Sequence, residues 1–455
     1  MHVVASRPLH TTSQGLIVKK SVVVILVLLA AVVLVSPAIV GRLAEQSMDR
    51  NLNWAAGESG DVRVTSEHYT RGWFSSEGQH RIELREGELL TALQAVAGPM
   101  SADDVPVLVI NTRLDHGLIP VTSISRDEGS LAPGLGSAVS TMQVELSDGT
   151  IIAVPGTIYS KVALGGSLHS NYILAAGTRE DEQVSAQWDD VNIDVTTDPS
   201  SGKVSYDGTV GKLAVVTAGQ NMSLEALTFK GHQQPTAFGL AVGDVSIELD
   251  GFAIDQGTGQ AGGVSKLTVR GTSSLADEHL NGAATVNMVM QNLPRFGEMA
   301  IDIAMTIDGA DAASLGRVRQ GLKDNKGSPD PTALYATMQQ DLKSLFAAGF
   351  DLGFDEINIT LPQGAVRSTA RFSFAERDPA TFEWPALLLS TEASADLSVP
   401  AGLLESEAQG NAQVGMLVGG GFLQKRGEDY VMEAELKKGL LTINGAPMPI
   451  PLGGM

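Results

Sequence analysis

"EMAIDIAMTIDG", residues 298–309, is the stretch on which the fold turns. Ile301, Ile303, Met305 and Ile307 alternate with Asp302, Ala304, Thr306 and Asp308. A period of two places the apolar side chains on one face of an extended strand and the polar ones on the other. The same alternation runs through VNIDVTT (191–197), KLTVRG (266–271), INITL (357–361) and YVMEAELKKG (430–439). Strands apolar on one face only belong to antiparallel sheets that cover a core on one side. Asp148-Gly149, Asp207-Gly208, Asp250-Gly251, Asp308-Gly309 and Asn444-Gly445 punctuate these runs. Asp-Gly and Asn-Gly supply the positive φ values that tight hairpins need. The chain is therefore expected to be mostly β with a few helices, its bulk a large, curled, antiparallel multi-hairpin sheet.

Helical periodicity interrupts this pattern. After Asp330-Pro331, an N-cap acid and first-turn proline, Leu334, Met338, Leu342, Leu345 and Phe346 share one face, and Gly349 ends the run. A weaker helix is expected over 310–322, another over 87–98, and a short one over 41–55.

The first forty residues separate by chemistry. Residues 1–21 carry Arg7, Lys19 and Lys20 and no acid, whereas residues 22–40, VVVILVLLAAVVLVSPAIV, carry no charge. About 20 apolar residues suffice to cross a bilayer core. Lysines just before the span favour a cytoplasmic N-terminus and an outward chain. The alternative is a cleaved signal peptide, since Ser36-Pro37-Ala38 loosely imitates a cleavage site. The expected organisation is a cytoplasmic 1–21, a transmembrane anchor 22–40, an N-terminal β region 41–180, a central hairpin array 181–310, a helical segment 311–350 and a C-terminal β region 351–455.

Three of the 31 basic residues precede residue 41, so 28 face 52 acids beyond it, a formal charge of −24. Nucleic acid binds clustered Lys and Arg, which this chain lacks, so no nucleic-acid partner is expected. The same charge opposes lying flat on anionic lipid. Without cysteine, disulfides, thiolate metal sites and thiol catalysis are excluded.

Catalytic patterns are scarce. No Gly-x-Ser-x-Gly elbow occurs. Ser200-Ser201-Gly202-Lys203 follows Asp198-Pro199 and reads as a turn, and Ser167 and His169 share a strand face by geometry alone. The histidines show no His-x-x-x-His pair, and the acidic loops Asp103-Asp104, Asp189-Asp190 and 324–330 lack calcium-loop spacing. Gly419-Gly420-Gly421 sits between apolar residues and is no nucleotide loop. No catalytic, cofactor or metal residue is assigned.

Tyr69, Trp73 and Phe74 are gathered beside Arg71 and Gly72 in a chain only 5% aromatic. Both flanks alternate, and Gly72 relaxes the backbone at a bend. Two strands joined at a kink, with the aromatics closing a core and Arg71 stacked on a ring, is the expected arrangement.

Several segments together resemble the YdgA-like bacterial envelope proteins, a family defined by a domain of unknown function. They are the anchor with Ser36-Pro37-Ala38-Ile39-Val40-Gly41-Arg42, then Tyr69-Thr70-Arg71-Gly72-Trp73-Phe74-Ser75-Ser76, and Asp115-His116-Gly117-Leu118-Ile119-Pro120. Gly421-Phe422-Leu423, Asp429-Tyr430 and the run from Gly439 to Met448 through Asn444-Gly445 complete the set. Leu118 stands where the family carries proline. The resemblance implies an inner-membrane anchor and a periplasmic domain, and supplies no catalytic residue. The layout also resembles the AsmA-like envelope proteins, which implies a curled sheet with an apolar groove for lipid.

The leading expectation is a single-pass, signal-anchored protein of the inner membrane whose bulk lies in the periplasm. It binds or scaffolds an envelope component, lipid or another protein, without enzymatic activity. The alternative is an envelope hydrolase with a site assembled from Ser75, Asp115 and His116.

Overall fold

The computed structural model describes residues 62–71, 75–84, 90, 105–116, 136–180, 184–198, 200–217, 221–255, 261–293, 296–324, 331–408 and 412–449. The anchor expected at 22–40 and the helix at 41–55 lie outside these residues, as does all but residue 90 of the helix at 87–98. Among the described residues no helix is long and apolar enough to cross a membrane. They form 25 strands and five helices. The chain divides into two compact units, the first Met1–Ser200 with Gly208–Ser223, the second Ser201–Asp207 with Leu224–Met455.

In the first unit β1 (Val62–Arg71), β2 (Ser75–Leu84), β3 (Val107–His116), β4 (Gly136–Glu145), β5 (Ile151–Val162) and β6 (Leu168–Leu174) pair in succession, all antiparallel. β7 (Gly177–Glu180) and β8 (Val184–Trp188) form a short hairpin, and β9 (Val191–Asp198) returns to β6. β10 (Lys203–Val210) and β12 (Asn221–Leu224) lie at the division, and β11 (Leu213–Thr217) pairs with β8. Alternation becomes burial here. Along β4 every second residue from Gly136 to Val144 is buried, and Val144 is 0% exposed. Leu108, Ile110, Met142, Ile158 and Ile193 share that core. Buried hydroxyls within it pair with each other, Thr112 with Ser140 at 2.8 Å and Ser170 with Ser160 at 3.2 Å. Such pairing offsets the desolvation of the hydroxyls. Tyr172 donates to the Pro155 carbonyl at 2.9 Å, and burial pushes its phenol up to about 12.

In the second unit the strands are longer. β13 (Leu227–Pro235), β14 (Ala241–Leu249), β16 (Ala261–Ala276), β17 (His279–Leu293) and β18 (Gly297–Asp311) are neighbours in that order, with β15 (Phe252–Asp255) on the free stretch of β16. Helices α1 (Ala312–Asp324) and α2 (Pro331–Ala348) interrupt the meander. It resumes with β19 (Phe350–Leu361), β20 (Gly364–Phe374) and, after α3 (Trp384–Ser390), β21 (Thr391–Pro400). α4 (Ala401–Ala408), α5 (Ala412–Gly419) and β22 (Gln424–Arg426) lead to β23 (Asp429–Lys437), which pairs with β21. β24 (Leu440–Ile443) and β25 (Ala446–Met448) end the sheet, which does not close.

Two turn signals behave otherwise than expected. Asp207-Gly208 lies inside β10, and Asp308-Gly309 lies inside β18 at a register shift, so the first is plain strand and the second a bulge. The long β16–β17 hairpin turns instead at Asp277-Glu278, both with positive φ (49° and 65°).

Candidate functional site

Residues 298–309 lie in β18, and its neighbours continue its alternation across the second unit. Phe229, Ile247, Val269, Val286, Ile303 and Ile357 are successive cross-strand partners from β13 to β19, followed by Ser368, Leu397 and Met432. A parallel row runs Leu249, Leu267, Met288, Ile301, Ile359 and Val366. The opposite face carries Glu248, Thr268, Asn287, Asp302, Asn358 and Arg367, with Asn287 Nδ2 donating to Asp302 Oδ1 at 2.7 Å. One face is apolar and the other polar.

Coverage separates these strands from those of the first unit. Leu267, Val269, Val286, Met288, Ile301, Ile303, Ile357 and Ile359 all remain partly exposed, and Met305 is 38% exposed. Only one end of the face is sealed among the described residues. There Val318 of α1 and Met338 and Leu345 of α2 bury themselves with Ala310, and Leu280, Ile307, Leu315, Leu342 and Phe350 pack against them. Phe346 of α2 adds ring contacts to Phe374 at 4.9 Å, Phe350 at 5.6 Å and Trp384 at 5.9 Å. An amphipathic helix pair offers one stripe, too narrow for a face this wide.

Beside the sealed end the face dips into a hollow of about 360 Å³. Small residues make it: Gly271 pairs with Ala284, and Ser273 with Gly282. Val245, Leu280, Met305, Ile307 and Leu352 stand around it, and Gln233, Ala241, Val242 and Gly243 form a rim. The lining includes no Lys or Arg. Its ionisable member, Asp244, accepts a 2.5 Å hydrogen bond from His232 Nδ1. The size falls in the range of small-molecule sites, about 300–1,000 Å³. Such a surface shields alkyl chains from water and has no cation to hold an anionic group. The sequence signal was glycine inside strands, at Gly271 and Gly282, where a close approach or a missing side chain is the usual reason.

A second hollow of about 600 Å³ involves polar-face side chains including Asp308, Asp351, Asp355, Glu392 and Glu435. Arg371 Nη2 donates to Asp355 Oδ1 at 3.0 Å there. Among the described residues no group of histidines and acids is set to hold a metal.

Of the residues singled out in the sequence, Arg71, Ser75, Asp115 and His116 fall at one end of the neighbouring strands β1, β2 and β3, whereas Asn444 and Gly445 belong to the second unit. Tyr69 and Arg71 lie in β1 opposite Gly78 and Ser76. Their side chains, and all of Gly72, Trp73 and Phe74, lie outside the described residues. Ser75 and Asp115 are cross-strand partners and Asp115 is buried. His116 ends β3 opposite Gly136, and its side chain and Gly117 lie outside the described residues. Asn444 and Gly445 form the β24–β25 turn with φ of 51° and 78°.

A family model described as a bacterial protein of unknown function (DUF945) matches residues 18–451, and the chain belongs to that family. No curated protein and no solved structure matches the chain.

Proposed function

We propose that this is a non-enzymatic, membrane-anchored envelope protein of the YdgA-like kind, and that its second unit holds the acyl chains of a lipid on the open apolar face. The observation that carries this reading is the partly exposed aliphatic face from β14 to β19, hollowed at Gly271 and Gly282. Large contiguous apolar patches are unfavourable in water and mark binding surfaces. The uncharged run at 22–40 supports an anchor in the inner membrane, and the lysines before it support a periplasmic location for the rest. A formal charge of −24 beyond residue 40 opposes contact with an anionic bilayer. The lipid is therefore held singly, away from the membrane plane.

Full-length protein purified in mild detergent is expected to carry phospholipid, seen by native mass spectrometry. Ile303→Asp, in the middle of the apolar face, should remove lipid more than it lowers stability. A lipid-free wild-type protein, with Ile303→Asp simply unfolding, would sink the reading.

A further inference from the structure

The apolar face of the second unit changes depth along its strands. From β14 to β19, its rows through Met288 and Val286 consist of Leu, Ile, Val and Met side chains. The next row toward the helices is Val245, Gly271, Ala284 and Met305, followed by Gly243, Ser273, Gly282 and Ile307. Small residues of β16 and β17 therefore lower the floor in these two rows. A β-carbon at Gly271 would lie 3.1 Å from Val245 Cγ1, and one at Gly282 would lie 3.5 Å from Ile307 Cγ2. Larger side chains at these positions would occupy the hollow. Leu280 and Ile307 line it and also pack against the cluster that α1 and α2 bury with Ala310, so the helices end the face just beyond it.

Length and charge select what can lie there. Met288 and Gly282 are six residues apart on β17, about 20 Å at roughly 3.4 Å per residue. One leaflet of a bilayer core is about 15 Å deep, half of ~30 Å, so the face accommodates a single extended acyl chain lengthwise. The hollow itself, about 360 Å³, is the size of a small-molecule site and takes only part of a phospholipid. That part is not the headgroup. No Lys or Arg lines the hollow, Asp244 accepts from His232, and Ser273 Oγ accepts the Gly243 N–H at 3.2 Å. A phosphate pushed into such a lining would give up water for no cation, which is costly.

We infer that the hollow is the terminal pocket of the acyl site: it takes the methyl end of the chain, and Gly271, Gly282 and Ala284 set the chain length that fits. This inference rests on the acyl-binding reading of the same face. The chain lies along the strands with its methyl end against Leu280 and Ile307, and the headgroup leaves at the end away from α1 and α2. Filling the hollow excludes terminal methylenes and leaves the rest of the face available. Each methylene denied burial lowers retention about fourfold, from the transfer free energy of one CH₂.

A competition between chain lengths tests this. Full-length protein in mild detergent is equilibrated with an equimolar mixture of dilauroyl, dimyristoyl, dipalmitoyl and distearoyl phosphatidylethanolamine, and native mass spectrometry reads the bound species. A common headgroup isolates the effect of the chain. Ala284→Leu, which fills the hollow, should move the preference to shorter chains, by about fourfold in relative occupancy per excluded methylene. Met305→Ala, which enlarges the hollow at a side chain already 38% exposed, should move it to longer ones. Ala370→Leu makes the same addition on the same face opposite Phe354, outside the hollow, and should keep the wild-type profile. Shifts of opposite sign cannot arise from loss of folding, and Met305→Ala alone decides the matter if Ala284→Leu proves unstable. An unchanged length profile in both hollow variants, with lipid bound, overturns the terminal pocket and keeps the acyl reading. A wild-type protein that binds none of these lipids refutes the acyl reading and the pocket with it.

Discussion

Asn444 shows how a residue can be half legible. Asn-Gly signalled a two-residue turn, and the turn is there, with Asn444 at a φ of 51°. Its side chain does more. Nδ2 donates to the carbonyls of Gly421 and Phe422 at 3.2 and 3.1 Å, and Oδ1 accepts the Glu433 N–H at 2.9 Å. These tethers fasten the segment after α5 to the turn, and no local pattern announces partners so distant in sequence. Asn444→Ala should cost about 2–3 kcal/mol in urea denaturation, from lost hydrogen bonds and an unfavourable φ. Asn444→Gly, which keeps the backbone, should recover only part. Full recovery would leave the tethers without energetic weight. His80 was not legible at all, since one histidine in a strand carries no signal. It is 2% exposed, its Nδ1 has no hydrogen-bond partner among the described residues, and burial lowers its pKa from the ordinary value. The unfolded chain therefore takes up the proton first as pH falls. The stability contributed by neutral His80 is complete above about 6.5, the unfolded value, and declines as pH drops toward the folded one. Wild type should lose more stability between pH 8 and pH 5.5 than His80→Leu does; identical losses would show that the imidazole is not the group responsible.

Elements were legible where their pattern was long. The helix over 331–349 and the weaker one over 310–322 correspond to α2 and α1, because two turns or more fix a period. α4 and α5, eight residues each, were not read as helices; LLESEA and QVGMLVG are too short to tell a helical stripe from an apolar run. Asp308-Gly309 imitated a hairpin because the same positive φ serves a bulge. The last strand carries a device visible only once its register is known. Ile443 and Ala446 flank the two-residue turn and form its hydrogen-bonded pair, so the next pair, Thr442 and Pro447, is the non-hydrogen-bonded kind. The nitrogen of Pro447 therefore faces away from β24, where a backbone N–H would invite another strand. Pro447→Val restores that donor at the edge. It should bring concentration-dependent association in size-exclusion chromatography, with the monomer's melting temperature little changed. A variant that stays monomeric at high concentration would mean the edge is protected by something else.

At the scale of the molecule the two units write the same alternation with different consequences. GSAVSTMQVE in β4 and HLNGAATVNMVMQNL in β17 both set apolar residues two apart. Yet Val144 is 0% exposed and Val286 remains partly exposed. A period of two specifies which residues share a face and says nothing of what lies against it, so the strand class was legible and the coverage was not. The hollow was hidden for the same reason, since Gly271 and Gly282 become one feature only when β16 and β17 are placed in register. The difference in coverage can be measured with one substitution made twice. Val144→Asp buries a carboxylate with no water to reach, and such groups unfold a domain or force protonation. A loss of about 4 kcal/mol or more is expected, exceptional among point mutants. Val286→Asp puts the same group on a face that water already touches, and should cost about half as much or less. Its clearer effect should be on the surface itself: a hydrophobic dye that fluoresces on the wild-type protein should bind more weakly to Val286→Asp, at temperatures well below the melting transition. Equal and large destabilisation by both substitutions, read by calorimetry, would mean that the apolar face of the second unit is as fully covered in solution as the core of the first, and no open surface would remain for a ligand.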